Sequence, residues 1–203
     1  MLVASRAPAS AYIFDFDGTL GTIPVDWQRV KEGLREATGS QEEFKNVFPT
    51  IVHILEENPK VQRRVFALID EYEVDAAPRA VLYPDSFDLL QALAETAKVS
   101  LVTMQGPKAT EMVLQRFNLK QFFVHRFTRE DSLDRGEQLR FALEAMRAKK
   151  ESSVFVGDRL NDLNAAKRVG VPFTMIRTHG DDPQDEDVLL YHSVTEFFET
   201  VRH

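Results

Sequence analysis

The sequence predicts an α/β fold, a doubly wound parallel sheet that carries an inserted helical unit. Three observations carry that reading. Short apolar segments rich in β-branched and aromatic residues recur at about 11–16, 98–104, 122–127, 153–157 and 172–176, as buried strands do. Helical patterns separate the later segments, and strands that alternate with helices imply parallel pairing with helices on both faces. Between the first strand and the second the alternation stops, and residues 21–80 read as helix alone.

The first strand is marked by Tyr12, Ile13 and Phe14, all strong β-formers. In the interruption, "VDWQRVKEGLREATGS", "QEEFKNVFPTIVHILEEN" and "PKVQRRVFALIDEYEVD" each predict a helix. Asp26 and Ser40 are the candidate caps, and Pro59 suits a first helical turn. Where alternation resumes, residues 85–96 place Phe87, Leu90, Leu93 and Ala94 on one helical face, and 135–148 do the same with Leu139, Ala142, Leu143 and Met146. The segment 161–169 ends at Gly170, a helix stop. The most polar stretch, "HGDDPQDED" at 179–187, reads as a solvated loop. The resulting organisation is a core built from 1–20 and 81–203, with a helical insertion at 21–80.

Bulk properties narrow the function. The chain has 203 residues, 43% apolar and 28% charged, which fits one folded domain with an insertion and excludes a disordered chain. No apolar run approaches the roughly 18–20 residues that span a bilayer. The opening "MLVASRAPAS" lacks a signal-peptide pattern, so a cytoplasmic protein is expected. The absence of cysteine excludes disulfides, thiolate catalysis and cysteine-ligated zinc. The formal charge of −7, without a basic block, argues against a nucleic-acid partner. An anionic substrate would need a local reversal of the field, which a divalent cation supplies.

In parallel α/β sheets ligands bind beyond the C-terminal ends of the strands. Asp15 and Asp17 follow strand one, Thr103 ends strand two, and Asp158 follows strand four with Asp162 four residues on. These acidic positions, distant in sequence, fall on one edge of the sheet. Clustered carboxylates repel unless a cation holds them, and an oxygen-only set without histidine or cysteine fits Mg²⁺ better than zinc. Asp15 and Asp17 are two apart, hence on one side of the strand: one can attack while the other handles a proton. Gly18 permits a sharp turn, and Thr19 can tie it with its hydroxyl. After Thr103, Gly106 and Pro107 look like the cap and first position of a helix, whose free N–H groups would bind an anion. Gly18, Thr19, Gln105 and Gly106 are the candidate substrate contacts.

"DFDGTL" at 15–20, Thr103 ending an apolar strand, and "VGDRLND" at 156–162 resemble the haloacid dehalogenase-like superfamily, with motifs in its order across most of the chain. The helical insertion resembles the helical cap found between that family's first two motifs, in the style of its phosphoglycolate-phosphatase-like branch. The resemblance implies a Rossmann-like core and a Mg²⁺-dependent phosphatase that works through an aspartyl-phosphate. Asp15 would be the nucleophile and Asp17 the general acid, later base. Thr103 would bond a phosphoryl oxygen. Asp158 would share Mg²⁺ with Asp15 and the backbone carbonyl of Asp17, and Asp162 would ligate directly or through water. Asp17 argues against dehalogenation, because the family's dehalogenases lack an aspartate there. A small phosphorylated metabolite is the expected partner, with the protein a monomer or homodimer. Phosphomutase, pyrophosphatase or nucleotidase chemistry would use the same aspartates, and a non-catalytic binding protein or scaffold could use the same fold.

Two departures stand out. The family's third motif supplies a lysine, and "FTREDSLDRGEQLRFAL" has none. Arg135, opening the helix there, is the expected substitute, and Arg129 the reserve. Relatives often place Asn or Gly directly after the hydroxyl residue, where this chain has Met104 and Gln105. Bland readings compete elsewhere. Trp27 reads as a buried anchor of the insertion before a pocket residue. His53, His125, His179, His192 and His203 lack metal-ligand spacing.

Overall fold

A computed structural model describes residues 9–177 and 188–202. The polar stretch at 179–187, and with it His179, lies outside the described residues, as does His203.

The chain runs β1 (Ala11–Phe14), β2 (Gly21–Thr22), α1 (Trp27–Thr38), α2 (Val47–Glu57), α3 (Gln62–Ala76), β3 (Val81–Leu82), α4 (Ser86–Thr96), β4 (Lys98–Val102), α5 (Pro107–Arg116), β5 (Phe123–Phe127), α6 (Arg135–Met146), β6 (Ser153–Gly157), α7 (Leu160–Val169), β7 (Phe173–Ile176), β8 (Leu189–Tyr191) and α8 (Val194–Val201). Six strands form a parallel sheet in the order β5-β4-β1-β6-β7-β8. The chain winds outward from β1 in one direction through β4 and β5, then returns to wind the other way through β6, β7 and β8. That reversal beside β1 is where open α/β sheets leave a crevice.

β1 is buried along its whole length and divides its side chains between two cores. Tyr12 and Phe14 pack with Leu89, Leu90 and Leu93 of α4, Val113 and Leu114 of α5, and Phe197 of α8. Ala11 and Ile13 pack on the other face with Leu139, Ala142 and Met146 of α6 and Ala165 and Ala166 of α7. This period-2 division explains why the central strand reads as continuously apolar. Truncating a fully buried residue such as Leu139 to Ala would cost about 2–5 kcal/mol.

The helices between β2 and β3 hold a third core of their own, formed by Val30, Leu34, Phe44, Ile51, Ile54, Val65, Phe66 and Ile69. Asp26 caps α1 by accepting the Arg29 N–H at 3.1 Å, and Gly39 closes it in the left-handed conformation. The second helix departs from expectation. Ser40 does not cap it; its Oγ accepts the Glu42 N–H in a turn at 3.1 Å. The helix begins only at Val47, after Phe44 adopts a positive φ of 49°. Pro49 then falls in the first turn, where a missing N–H is tolerated. Pro59 opens a 3₁₀ turn that leads into α3.

Four elements escaped sequence reading. The two-residue strands β2 and β3 pair antiparallel across the two ends of the helical segment, with Gly21 opposite Leu82 and Thr22 opposite Val81. β8 adds the sixth strand, and α8 is capped by Ser193, which accepts the Glu196 N–H at 3.1 Å. Strands one and two end earlier than read, at Phe14 and Val102. Asp15, Asp17 and Thr103 therefore stand just beyond the ladder rather than within it.

Candidate active site

The C-terminal ends of β1, β4 and β6 open into a cavity of about 580 Å³. Asp15, Asp17, Thr103, Gln105, Arg135 and Asp162 line its floor, and Trp27, Lys31, Phe48 and Val52 close it from the helical segment. Trp27 is half-buried, meets Phe48 edge-on at 5.9 Å between centroids, and touches the third core. It is thus both an anchor and a wall.

Asp15, Asp158 and Asp162 bring one carboxylate oxygen each within 4.8 Å of one another. Two glycines make this possible. A Cβ on Gly18 would strike the Asp158 carboxylate, and Gly18 also holds a φ of +93°, a conformation other residues rarely adopt. A Cβ on Gly157 would lie 2.9 Å from both Cβ and Oδ2 of Asp162. The cluster is expensive in isolation. Burial, opposed by Arg135 and reinforced by repulsion from Asp162 and Asp158, pushes Asp15 up to about 8. Burial, with Asp162 adding to it and Arg159 opposing, pushes Asp158 up to about 6. Oδ1 of Asp158 is buried with no hydrogen-bond partner.

Arg135 enters the cluster from the first position of α6, where Asp134 caps the helix by accepting the Glu137 N–H at 3.0 Å. Its Nη2 donates to Asp15 Oδ1 at 3.0 Å, and its Nε lies 3.1 Å from Asp162 Oδ1. The planar fork of arginine suits such a bridge between two carboxylates. Asp162 Oδ2 meanwhile accepts the Arg159 N–H at the start of α7, at 3.3 Å. The reserve residue, Arg129, does not reach Asp15: it is spent on Glu73, Asp70 and the Met104 carbonyl.

Asp17 is held apart from the trio. Its Oδ1 accepts the Ile23 N–H at 2.9 Å, and its carboxylate is not one of the clustered groups. Because β1 ends at Phe14, the turn at Gly18 rather than strand alternation places Asp17. It still lines the same cavity. Burial raises its pKa, against the Ile23 N–H, Arg159 and Thr22.

Three further expectations are corrected. The Thr19 hydroxyl does not tie the turn: its Oγ1 is buried without a partner, and the turn is closed by backbone bonds, Gly18 N–H to Gly21 C=O at 2.8 Å and Leu20 N–H to Phe16 C=O at 2.9 Å. The N–H of Gly106 is not free for an anion, because Glu73 of α3 accepts it at 2.8 Å. The Gln105 N–H is taken by Thr103 Oγ1 at 3.2 Å, while that hydroxyl donates to Gln105 Oε1 at 3.1 Å.

Sequence reasoning also missed Gln138. Fully buried on α6, it donates through Nε2 to the carbonyls of Thr103, Thr128 and Ser132 at 3.0, 2.9 and 2.9 Å. Its Oε1 accepts from Arg135 Nη1 at 3.0 Å. One side chain thus fixes both the hydroxyl residue and the arginine. The available signal was a polar residue one turn from Ala142 on a buried helical stripe.

The family model described as haloacid dehalogenase-like hydrolase matches residues 12–176. No curated protein matches in sequence. Among solved structures, a candidate phosphoglycolate phosphatase from Lactobacillus plantarum superposes with a TM-score of 0.71 at 19% identity, over 96% of this chain and all of that one. CbbY from Rhodobacter sphaeroides, in complex with phosphate, gives 0.70 at 18% identity, again over 96% of this chain and all of that one. YfnB from Bacillus subtilis, bound to magnesium, gives 0.64 at 17% identity over 97% of this chain and all of that one. At such identities these structures establish the shared fold. No helix among the described residues is long and apolar enough to cross a membrane.

Proposed function

We propose, starting from the fact that this chain belongs to the haloacid dehalogenase-like hydrolases, that it is a Mg²⁺-dependent phosphatase acting on a small phosphorylated metabolite. The observation that carries this reading is the bridging of Asp15 and Asp162 by Arg135, beside an Asp158 oxygen buried without a donor. That set fits a hard divalent cation: the ligand atoms are all oxygen, mutually repulsive and close together. Asp15, Asp158 and Asp162 would hold it, with the backbone carbonyl of Asp17 as the resemblance implies. When bound, the cation supplies charge neutralisation between the carboxylates and the phosphate.

The chain's own residues then divide the work. Arg135 orients the Asp15 carboxylate for attack on phosphorus, forming an aspartyl-phosphate as the ester bond breaks. Asp17, whose burial favours its protonated form, gives its proton to the departing alkoxide. It then takes a proton from the water that attacks the aspartyl-phosphate, which returns Asp15 and releases phosphate. The Thr103 hydroxyl, now donating to Gln105, turns to a phosphoryl oxygen. Lys31, Lys45, Arg159 and Arg168 also line the cavity and offset the net charge of −7 where an anion must enter. Asp17 supports phosphoryl transfer over dehalogenation.

The test is a phosphate-release panel of phosphorylated metabolites with Mg²⁺, comparing the unaltered protein with Asp15→Asn. Release by the former and none by the latter is expected. Equal activity in both would remove Asp15 as the nucleophile. Isomerised product without net phosphate would mark a mutase.

A further inference from the structure

A second buried charge cluster lies where the helical segment meets the sheet edge, and the reaction above uses none of it. Arg129, in the loop after β5, has a side chain with no exposed surface. Its Nη1 donates to Glu73 Oε1 and Oε2 at 2.9 and 2.8 Å and to the Met104 carbonyl at 3.1 Å. Its Nη2 donates to Asp70. The guanidinium carbon stands 5.6 Å from the centre of the Phe66 ring. Phe66, Asp70 and Glu73 follow one another along a single face of α3, so the arginine lies lengthwise on that helix. Glu73, itself fully buried, also accepts the Gly106 N–H.

Both ends of the turn after Thr103 are therefore gripped. Arg129 holds the Met104 carbonyl, and Glu73 holds the Gly106 N–H. The backbone is pressed closely into the cluster: a Cβ on Gly106 would strike Asp70 and come within 2.7 Å of Arg129 Nη2. Thr103, Met104, Gln105 and Glu73 all line the cavity. A buried ion pair is a poor device for stability alone, because well-packed apolar residues serve as well or better. Here its hydrogen bonds end on the backbone that presents Thr103.

We propose that Arg129 and Glu73 are positioning residues for the phosphate side of the site. They fix the Thr103–Gly106 turn, so this half of the site is complete only while α3 is docked against it. The inference rests on the phosphatase reading given above.

The test uses the full chain carrying Glu73→Gln, Arg129→Lys, Arg129→Met, or Glu73→Gln with Arg129→Met. Three quantities are read: melting temperature, amide hydrogen exchange at Gly106, and kcat and KM for p-nitrophenyl phosphate with Mg²⁺. Arg129→Met should lower kcat at least tenfold and speed Gly106 exchange at least tenfold, with Arg129→Lys recovering part of both. The double variant, which leaves only the partly exposed Asp70 unpaired, should regain part of the melting temperature but not kcat. Should Arg129→Met alone not fold, the double variant and Arg129→Lys decide. Activity that returns with melting temperature, or Gly106 exchange equal to that of the unaltered protein, would reduce the cluster to a structural pin. An unaltered protein that releases no phosphate would sink the phosphatase reading instead, and Gly106 exchange would still decide whether the turn is held.

Discussion

The molecule buries charge in two places, and the two are built differently. At the sheet edge, Arg135 bridges Asp15 and Asp162, the more exposed Arg159 lies 3.6 Å from Asp158 Oδ2, and the other Asp158 oxygen is buried with no donor. At the junction with α3, both oxygens of Glu73 accept hydrogen bonds, and Asp70 keeps 23% of its side chain exposed. The orphan there is a donor, Arg129 Nε. Burying an unpaired carboxylate oxygen costs free energy that the native state must recover elsewhere. The junction recovers it within the protein. The sheet edge leaves it to a ligand. A buried carboxylate oxygen with no donor is what separates the site from the structural cluster.

The sharpest break of that comparison is chemical. Asp15→Asn should lower turnover by about 10⁴-fold, a barrier increase of about 5 kcal/mol, because an amide cannot serve as the nucleophile. Retained turnover in a phosphate-release assay would remove the distinction. Next comes stability without metal. Arg129→Met should destabilise by about 3–5 kcal/mol, since it strands two carboxylates at the junction. Asp158→Asn should leave metal-free stability unchanged or raise it by about 1 kcal/mol, because it relieves repulsion. Denaturant titration of the two variants under chelator checks both, and equal losses would erase the contrast.

Magnesium should sharpen it further. At 100 times its dissociation constant the ion should stabilise the protein by about 2.7 kcal/mol, and Asp158→Asn should abolish most of that gain in a thermal melt. The pH dependence follows with a definite sign. Asp15 and Asp158 are raised to about 8 and about 6 in the metal-free fold, above their unfolded values near 4. The folded state then holds protons that the unfolded state has released. Metal-free stability should therefore fall as pH rises from about 4 to about 8. Magnesium needs the ionised carboxylates, so its affinity should strengthen over the same window. A flat metal-free profile would show that burial and mutual repulsion do not hold protons on Asp15 and Asp158. The smallest effect on turnover is expected at Arg135→Ala, where it should drop about tenfold, or about 1.4 kcal/mol; metal-free stability should fall as well, because Asp15 and Asp162 lose their bridge. An unchanged rate would leave the nucleophile without a cationic partner, since Arg129 is held at the junction.

Half of the site was legible because it rests on local pattern. Asp15, Thr103 and Asp158 follow apolar strands, Asp162 follows a strand by one helical turn, and the parallel-sheet rule sends all four to one edge. Arg135 was legible as a cation at a helix start. Glu73, Arg129 and Gln138 were not, because their partners lie far away in the chain. Arg129 and Glu73 are separated by 56 positions, and Gln138 and Thr103 by 35. One clue did exist: Glu73 shares a buried stripe with Val65, Phe66, Ile69 and Ala76, and a charge on such a stripe demands a buried partner. β2 and β3 escaped because two residues carry no periodicity to read.

The sequence by itself determined the alternation of strands and helices, the interruption after β1, and the aspartates at strand ends, because side-chain period and turn chemistry are local properties. Tertiary structure alone decided which arginine meets Asp15, which carboxylate takes the Gly106 N–H, and that Asp17 turns away to Ile23. Those outcomes depend on how separately folded faces dock. Docking is set by the summed burial and pairing of residues that no short window of sequence contains.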